Sequence, residues 1–204
     1  MRDSAGQVKC WKRRAGGTVV AAWMLLTLLG CARTVVPVPL ETNYDASDPS
    51  NDLEFLSRLA DRTAVSNDEG LHALIMFAVV TDPCGSYVER VAFMKERGWL
   101  PESWNEASSL AMQRGAIAPA IADLCKVKGG VIMQALGPNQ RYASRELAYL
   151  GILTPGSEQQ TMTGREFMSI LGKVQDYMLV EEALADKEAE KKQAAEGQAG
   201  AGSK

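Results

Sequence analysis

The sequence predicts an all-α body: a small bundle of two or three pseudo-repeated helical hairpins. Three observations point there. Ser66 to Glu69 and Thr163 to Glu166 both have the Ser/Thr-x-x-Glu spacing of a capping box, in which cap side chain and acid satisfy each other's backbone N–H groups. Apolar residues recur at helical rather than strand spacing. A plan of helix, glycine, connector and second helix occurs more than once.

Along the chain, Asp52 is the expected cap of a first helix with Leu53, Phe55, Leu56 and Leu59 on its apolar side. The Ser66 box opens an almost wholly apolar helix over residues 71–80, which Thr81-Asp82-Pro83 stops. A third helix is expected over residues 87–97, with Val88, Val91, Ala92 and Met94 inward and Gly98 as C-terminal cap. Residues 107–124 read as helical but interrupted at Gly115 and Pro119, so that a new helix begins near Ile117. Gly129-Gly130 and Gly137-Pro138 bracket VIMQAL, a short helix or a short strand. Residues 144–150 form a helix ended by Gly151, and the Thr163 box opens another over residues 167–178.

The ends differ from this body. Residues 1–30 hold five basic residues and one acidic residue; the remaining chain carries 17 basic and 24 acidic residues, a charge of -7. An acidic body repels phosphate backbones, so nucleic acid is not an expected partner. Residues 18–29, TVVAAWMLLTLL, are uncharged and follow Lys12-Arg13-Arg14. A run of a dozen apolar residues is too short to span a bilayer, which needs ~20, and fits a signal-peptide core. It ends in Leu28-Leu29-Gly30-Cys31, which resembles the lipobox of bacterial lipoproteins. The resemblance implies cleavage after Gly30, lipid on the Cys31 thiol and acylation of the new amino terminus. The membrane is then a partner through that lipid. Ala32, where an aspartate tends to retain lipoproteins of Gram-negative bacteria in the inner membrane, favours the outer membrane or cell surface.

The organisation expected is a signal peptide at 1–30, a lipidated cysteine and flexible tether at 31–51, a helical domain at 52–180 and a charged, largely disordered tail at 181–204. Pro37, Pro39 and Pro49 argue for the tether, and the Ala-, Glu- and Lys-rich composition for the tail.

The stretches RVAFMKERGWL with MQRGAIAPAIADL, and SRELAYLGIL with MTGREFMSILGKV, share one plan, and residues 53–78 supply a third copy. The layout resembles the S-layer homology repeat, whose second helix opens with a Thr-Arg-Ala-Glu motif. Thr163-Gly164-Arg165-Glu166 keeps the family's Thr and Glu with the arginine one place late; Gln113-Arg114-Gly115-Ala116 keeps only the arginine. The resemblance implies a non-catalytic binding or scaffold role toward a cell-wall polymer or surface layer. Arg114 and Arg165 would then face an anionic ligand, and Thr163 and Glu166 would hold the helix start.

No catalytic signature appears: there is no nucleophile elbow, phosphate loop or dinucleotide fingerprint. His72 is the only histidine and lies in the most apolar helix, as a core histidine with its hydrogen bonds met; no metal or cofactor is expected. An enzyme is therefore not expected, and the alternative to a polymer-binding module is a subunit or chaperone of an envelope protein complex. Cys84 and Cys125, left in the exported body, are expected to form a disulfide worth ~3–4 kcal/mol by chain entropy. Trp99 and Trp104, flanking Pro101, either face a ligand or fold back as a lid over the core, the second being favoured.

Overall fold

Among the described residues six helices, numbered in chain order, make up the body. The computed structural model describes residues 33–44, 48–127, 129 and 139–201. The leader, Cys31 and the VIMQAL segment lie outside the described residues. Those from Val35 onward belong to one compact unit. Among the described residues the backbone pairings outside helices are isolated bridges, so the all-α expectation holds.

Helix α1 runs Pro49–Ala60. Its cap is Asp48, which accepts from Ser50 N at 2.9 Å, rather than the expected Asp52. Pro49 explains the shift: its fixed φ and missing N–H suit the first helical position, so the helix starts one turn early. Phe55 and Leu59 are buried, while Leu53 faces solvent. Helix α2, Asn67–Val79, has the full expected capping box: Glu69 N donates to Ser66 Oγ at 3.2 Å, and Ser66 N donates to Glu69 Oε2 at 2.7 Å. It ends on Val80 at φ 73°.

Helix α3, Tyr87–Glu96, is rotated from the expected phase. Val88 and Ala92 face outward, and Arg90 and Met94 face inward. The apolar pattern misleads here because a charged side chain takes the buried position. The end is as expected: Gly98 at φ 70° follows the helix, with Gly98 N bonding Lys95 O and Trp99 N bonding Met94 O.

Helix α4, Arg114–Leu124, begins before Ile117 and runs through Pro119 without a break. Proline in a helix interior costs about 3 kcal/mol. Burial of the whole stretch from Arg114 to Ala122, with Ile117 and Ile121 fully enclosed, offsets that cost. Helix α5 is Gln140–Tyr149, capped by Asn139, and ends with the same bond pattern as α3: Gly151 N to Ala148 O and Ile152 N to Leu147 O.

Helix α6, Gly164–Ala201, spans 38 residues. Phe167, Ile170, Leu171 and Val174 anchor its first part in the core. The rest continues as helix into the stretch expected to be disordered, with residues 181–193 exposed on every side. Once packing has nucleated a helix, each further residue adds a bond at little cost, and this stretch is rich in the strong helix formers Ala, Glu, Lys and Gln.

The helices pack in a cycle. Each second helix lies against the first helix of the following pair: α2 on α3, α4 on α5, and α6 back on α1. Helix α2 also meets α4 and α6. The segments leading into α2, α4 and α6 are stitched together by backbone bonds, Met112 N to Val65 O, Arg114 N to Gln160 O and Val65 N to Met162 O. The first helical residue of each reaches the next connector. Asn67 donates to Ala107 O at 2.9 Å, Arg114 donates to Thr154, and Gly164 N donates to Arg62 O at 2.8 Å.

Residues 35–44, expected as part of a flexible tether, instead lie along the body. Val36 is buried and its N–H donates to Ser109 O at 2.8 Å; Arg62 Nη2 donates to Val38 O at 2.5 Å; Leu40 N donates to Glu69 Oε1 at 2.7 Å. The chain bends at Pro37 and Val38, and the backbone groups around the Pro-Val-Pro stretch find fixed partners.

Candidate functional site

Two polar regions stand out, one closed and one open. The closed one holds the end of the strap formed by residues 35–44. Arg90 is fully buried. Its Nε donates to Asp82 Oδ2 at 2.5 Å, its Nη1 to Asp68 Oδ1 at 2.8 Å, and its Nη2 to Thr42 O at 2.7 Å and Asn43 Oδ1 at 3.0 Å. His72 Nδ1 meets the same Asp82 oxygen at 2.6 Å, and its Nε2 meets the Tyr44 hydroxyl at 2.9 Å. The expected core histidine with both ring nitrogens satisfied is what the structure contains. Burial works against the Asp82 carboxylate, but the hydrogen bonds from His72 and Arg90 outweigh it and hold its pKa below the ordinary value. Burial, and then the Asp52 carboxylate, push the Tyr44 hydroxyl up, so it stays protonated. The aspartate–histidine–tyrosine chain and Arg90 together clamp the end of this segment against α2 and α3.

Cys84 borders this network and Cys125 ends α4. The expected bridge between them is not formed: both are free thiols, Cys84 half-buried and Cys125 buried. Burial raises each to about 11. Neutral thiols of this kind are poor nucleophiles at physiological pH.

The open region is a groove of about 770 Å³. One wall is the connector from α3 to α4, the floor includes Gln113 and Pro119, and the far wall is the start of α5 with Glu158 and Gln159. Five residues with amide side chains line it, Asn105, Gln113, Asn139, Gln140 and Gln159, the Oδ1 of Asn139 being taken up as the cap of α5. Glu106 and Glu158 supply acid and Arg141 supplies the cation. Trp99 and Trp104 border it, 6% and 8% exposed, with their indole N–H groups held by Asp123 at 2.8 Å and the Tyr87 hydroxyl at 3.1 Å. They fold back as the expected lid rather than standing out as stacking platforms. An amide offers a donor and an acceptor side by side, the pattern that pairs with neighbouring hydroxyls or with peptide groups. The size falls within the range of pockets that hold small ligands or single polymer units, ~300–1,000 Å³.

The four residues marked by sequence around the second-helix openings do not converge on this groove. Arg114 is buried at 3% exposure, beside Gly156. Its guanidinium donates to the Thr154 carbonyl, to Thr154 Oγ1 at 3.1 Å and to Gln160 Oε1 at 3.3 Å, with Glu166 Oε1 3.8 Å from Nε. It fastens the connector before α6. Glu166 N donates to Thr163 Oγ1 at 3.2 Å, as a capping threonine requires, while Thr163 and Arg165 are exposed. The groove residues were missed because none is unusual alone; only the density of Asn and Gln over residues 105–113, 139–140 and 159–160 hints at them.

Among the described residues no group of three or more His, Cys, Asp or Glu could hold a metal ion, and no helix is long and apolar enough to cross a membrane. Compared with family models, with curated proteins and with solved structures, the chain matches none.

Proposed function

We propose that this chain is a lipid-anchored envelope protein whose body binds a neutral, hydroxyl-rich polymer without chemically altering it. The observation that carries the reading is the amide-lined groove between the α3–α4 connector and the start of α5. The lipobox-like Leu28-Leu29-Gly30-Cys31 supports the anchor. The cyclic packing of the three helix pairs supports taking them as copies of one plan, in keeping with the S-layer homology resemblance. The ligand charge departs from that resemblance. Two acidic residues line the groove against one arginine, and Arg114 makes its bonds inside the protein, so an anionic polymer is disfavoured.

The test is sedimentation of residues 32–204 with purified neutral and anionic envelope polymers. Wild type should pellet with a neutral glycan fraction, and Gln140→Ala with Gln159→Ala should abolish this while leaving the helical spectrum unchanged. Binding only to anionic fractions, with both variants unaffected, would reject the groove. In cells, Cys31→Ala should leave an unprocessed precursor without labelled fatty acid.

A second reading, a subunit of an envelope protein complex, has one observation in its favour. Met178, Leu179, Val180 and Leu184 stand 40–58% exposed where α6 leaves the body. Failure of every polymer to bind, with co-purification of a partner lost on Val180→Glu, would favour it.

A further inference from the structure

We infer that the lipid holds the body directly on the bilayer surface, with the strap residues Val35 and Val38 as the contact. The inference rests on the lipid-anchor reading proposed above. A lipoprotein body usually gains freedom from a long tether, and residues 31–51 read that way by composition. The structure removes most of that length. Val36 is buried with its N–H on Ser109 O, and the chain stays fixed at Val38 by Arg62 and at Leu40 by Glu69. Only Ala32, Arg33 and Thr34 separate Cys31 from Val35.

Whatever its conformation, that stretch reaches at most about 14 Å from Cys31 to Val35. The lipid on Cys31 seats the residue at the bilayer surface, and the headgroup layer on each side takes up about 5–7 Å. The remainder is less than the ~10–12 Å diameter of a single helix. The body therefore cannot swing clear of the surface. The strap presents what such a contact needs. Its side chains divide, Val36 buried against the body and Val35 and Val38 turned out, the latter two 56% and 72% exposed. Isolated exposed valines mean little, but these two sit immediately beyond the anchor, where lipid is the one surface guaranteed to be near.

The experiment uses full-length protein, processed in cells, purified in detergent and reconstituted into phosphatidylcholine vesicles, with intact mass reporting the acyl chains. Val38→Trp adds one exposed indole to the buried Trp99 and Trp104. In vesicles whose lipids are brominated near the top of the acyl chains, the added emission should be largely quenched relative to plain vesicles. Inserting about thirty Gly and Ser residues after Ala32, with a root-mean-square span of roughly 30 Å, should restore it. Unquenched emission from protein whose mass includes the lipid would overturn the surface contact and leave the anchor standing. Quenching that survives the insertion would overturn the short leash as its cause. A mass without acyl chains would overturn the anchor, and this inference with it.

Discussion

Arg90 Nε lies 2.5 Å from Asp82 Oδ2, and that oxygen also meets His72, so one carboxylate ties α2 to α3 while Arg90 in turn holds the strap through the Thr42 carbonyl. Removing one partner of a buried ion pair costs about 3–5 kcal/mol, because the other is left charged and unpaired. Arg90→Ala should lose stability on that scale in urea unfolding. Because Thr42 and Asn43 depend on the same guanidinium, limited proteolysis of the variant should cut within residues 35–44 before it cuts the helices. Equal resistance of the strap in both proteins would refute its dependence on Arg90.

The same carboxylate sets an acid limit. The folded pKa of Asp82 is depressed below its ordinary value of 3.8, so the unfolded chain takes up a proton first as pH falls. The stability it contributes is fully present above that ordinary value and is lost progressively as pH drops through the folded pKa. Urea midpoints between pH 6 and 2.5 should fall steeply below about pH 4 in wild type. Asp82→Asn, less stable at neutral pH, should show a shallower fall.

Two glycines in α6 should respond oppositely to alanine. A Cβ on Gly164 would lie 1.7 Å from Leu59 O, where backbone meets backbone and neither can yield. A Cβ on Gly172 meets nothing within 4 Å. Gly172→Ala should stabilise by about 0.5–1 kcal/mol through helix propensity. Gly164→Ala should cost several times that, read as a large drop in thermal midpoint.

Val80 ends α2 at φ 73° with its side chain 83% exposed. A β-branched residue in this region is strained and here gains little packing in return. Val80→Gly should raise stability by about 1 kcal/mol, less the entropy a glycine adds to the unfolded chain. A net loss would indicate that the valine packs in a way its exposure hides.

Unfolding the purified body in alkylating reagent, without reductant, should add two groups, at Cys84 and Cys125, matching two free thiols. A single intact mass with no addition would restore the bridge.

Local chemistry was legible in the sequence and long-range packing was not. The Ser66–Glu69 box and the Gly98 and Gly151 ends need only neighbouring residues, and all three are present. Pro49 displaced the predicted cap of α1 because its effect as a first helical residue outweighs a suitable Asp three residues later. The phase of α3 was misread because burying Arg90 depends on Asp82, Asp68 and Thr42, which no periodicity can bring together. The docked strap likewise depends on Glu69 and Arg62, and the groove draws its walls from three separate stretches of chain.

The cycle of helix pairs also dictates when this protein can finish folding. The link that closes it, Gly164 N to Arg62 O, joins positions separated by about a hundred residues, and loop closure of that length comes late. A chain emerging amino terminus first from a ribosome has α1 in hand long before the helix that must pack against it. Until α6 arrives, the end of α1 at Leu59, against which Gly164 packs, lacks that cover. Chains ending before Gly164 are thus expected to stay open and protease-sensitive, however complete their first two helix pairs are. The body is thus a clasp whose lock is α6, the helix that returns to α1.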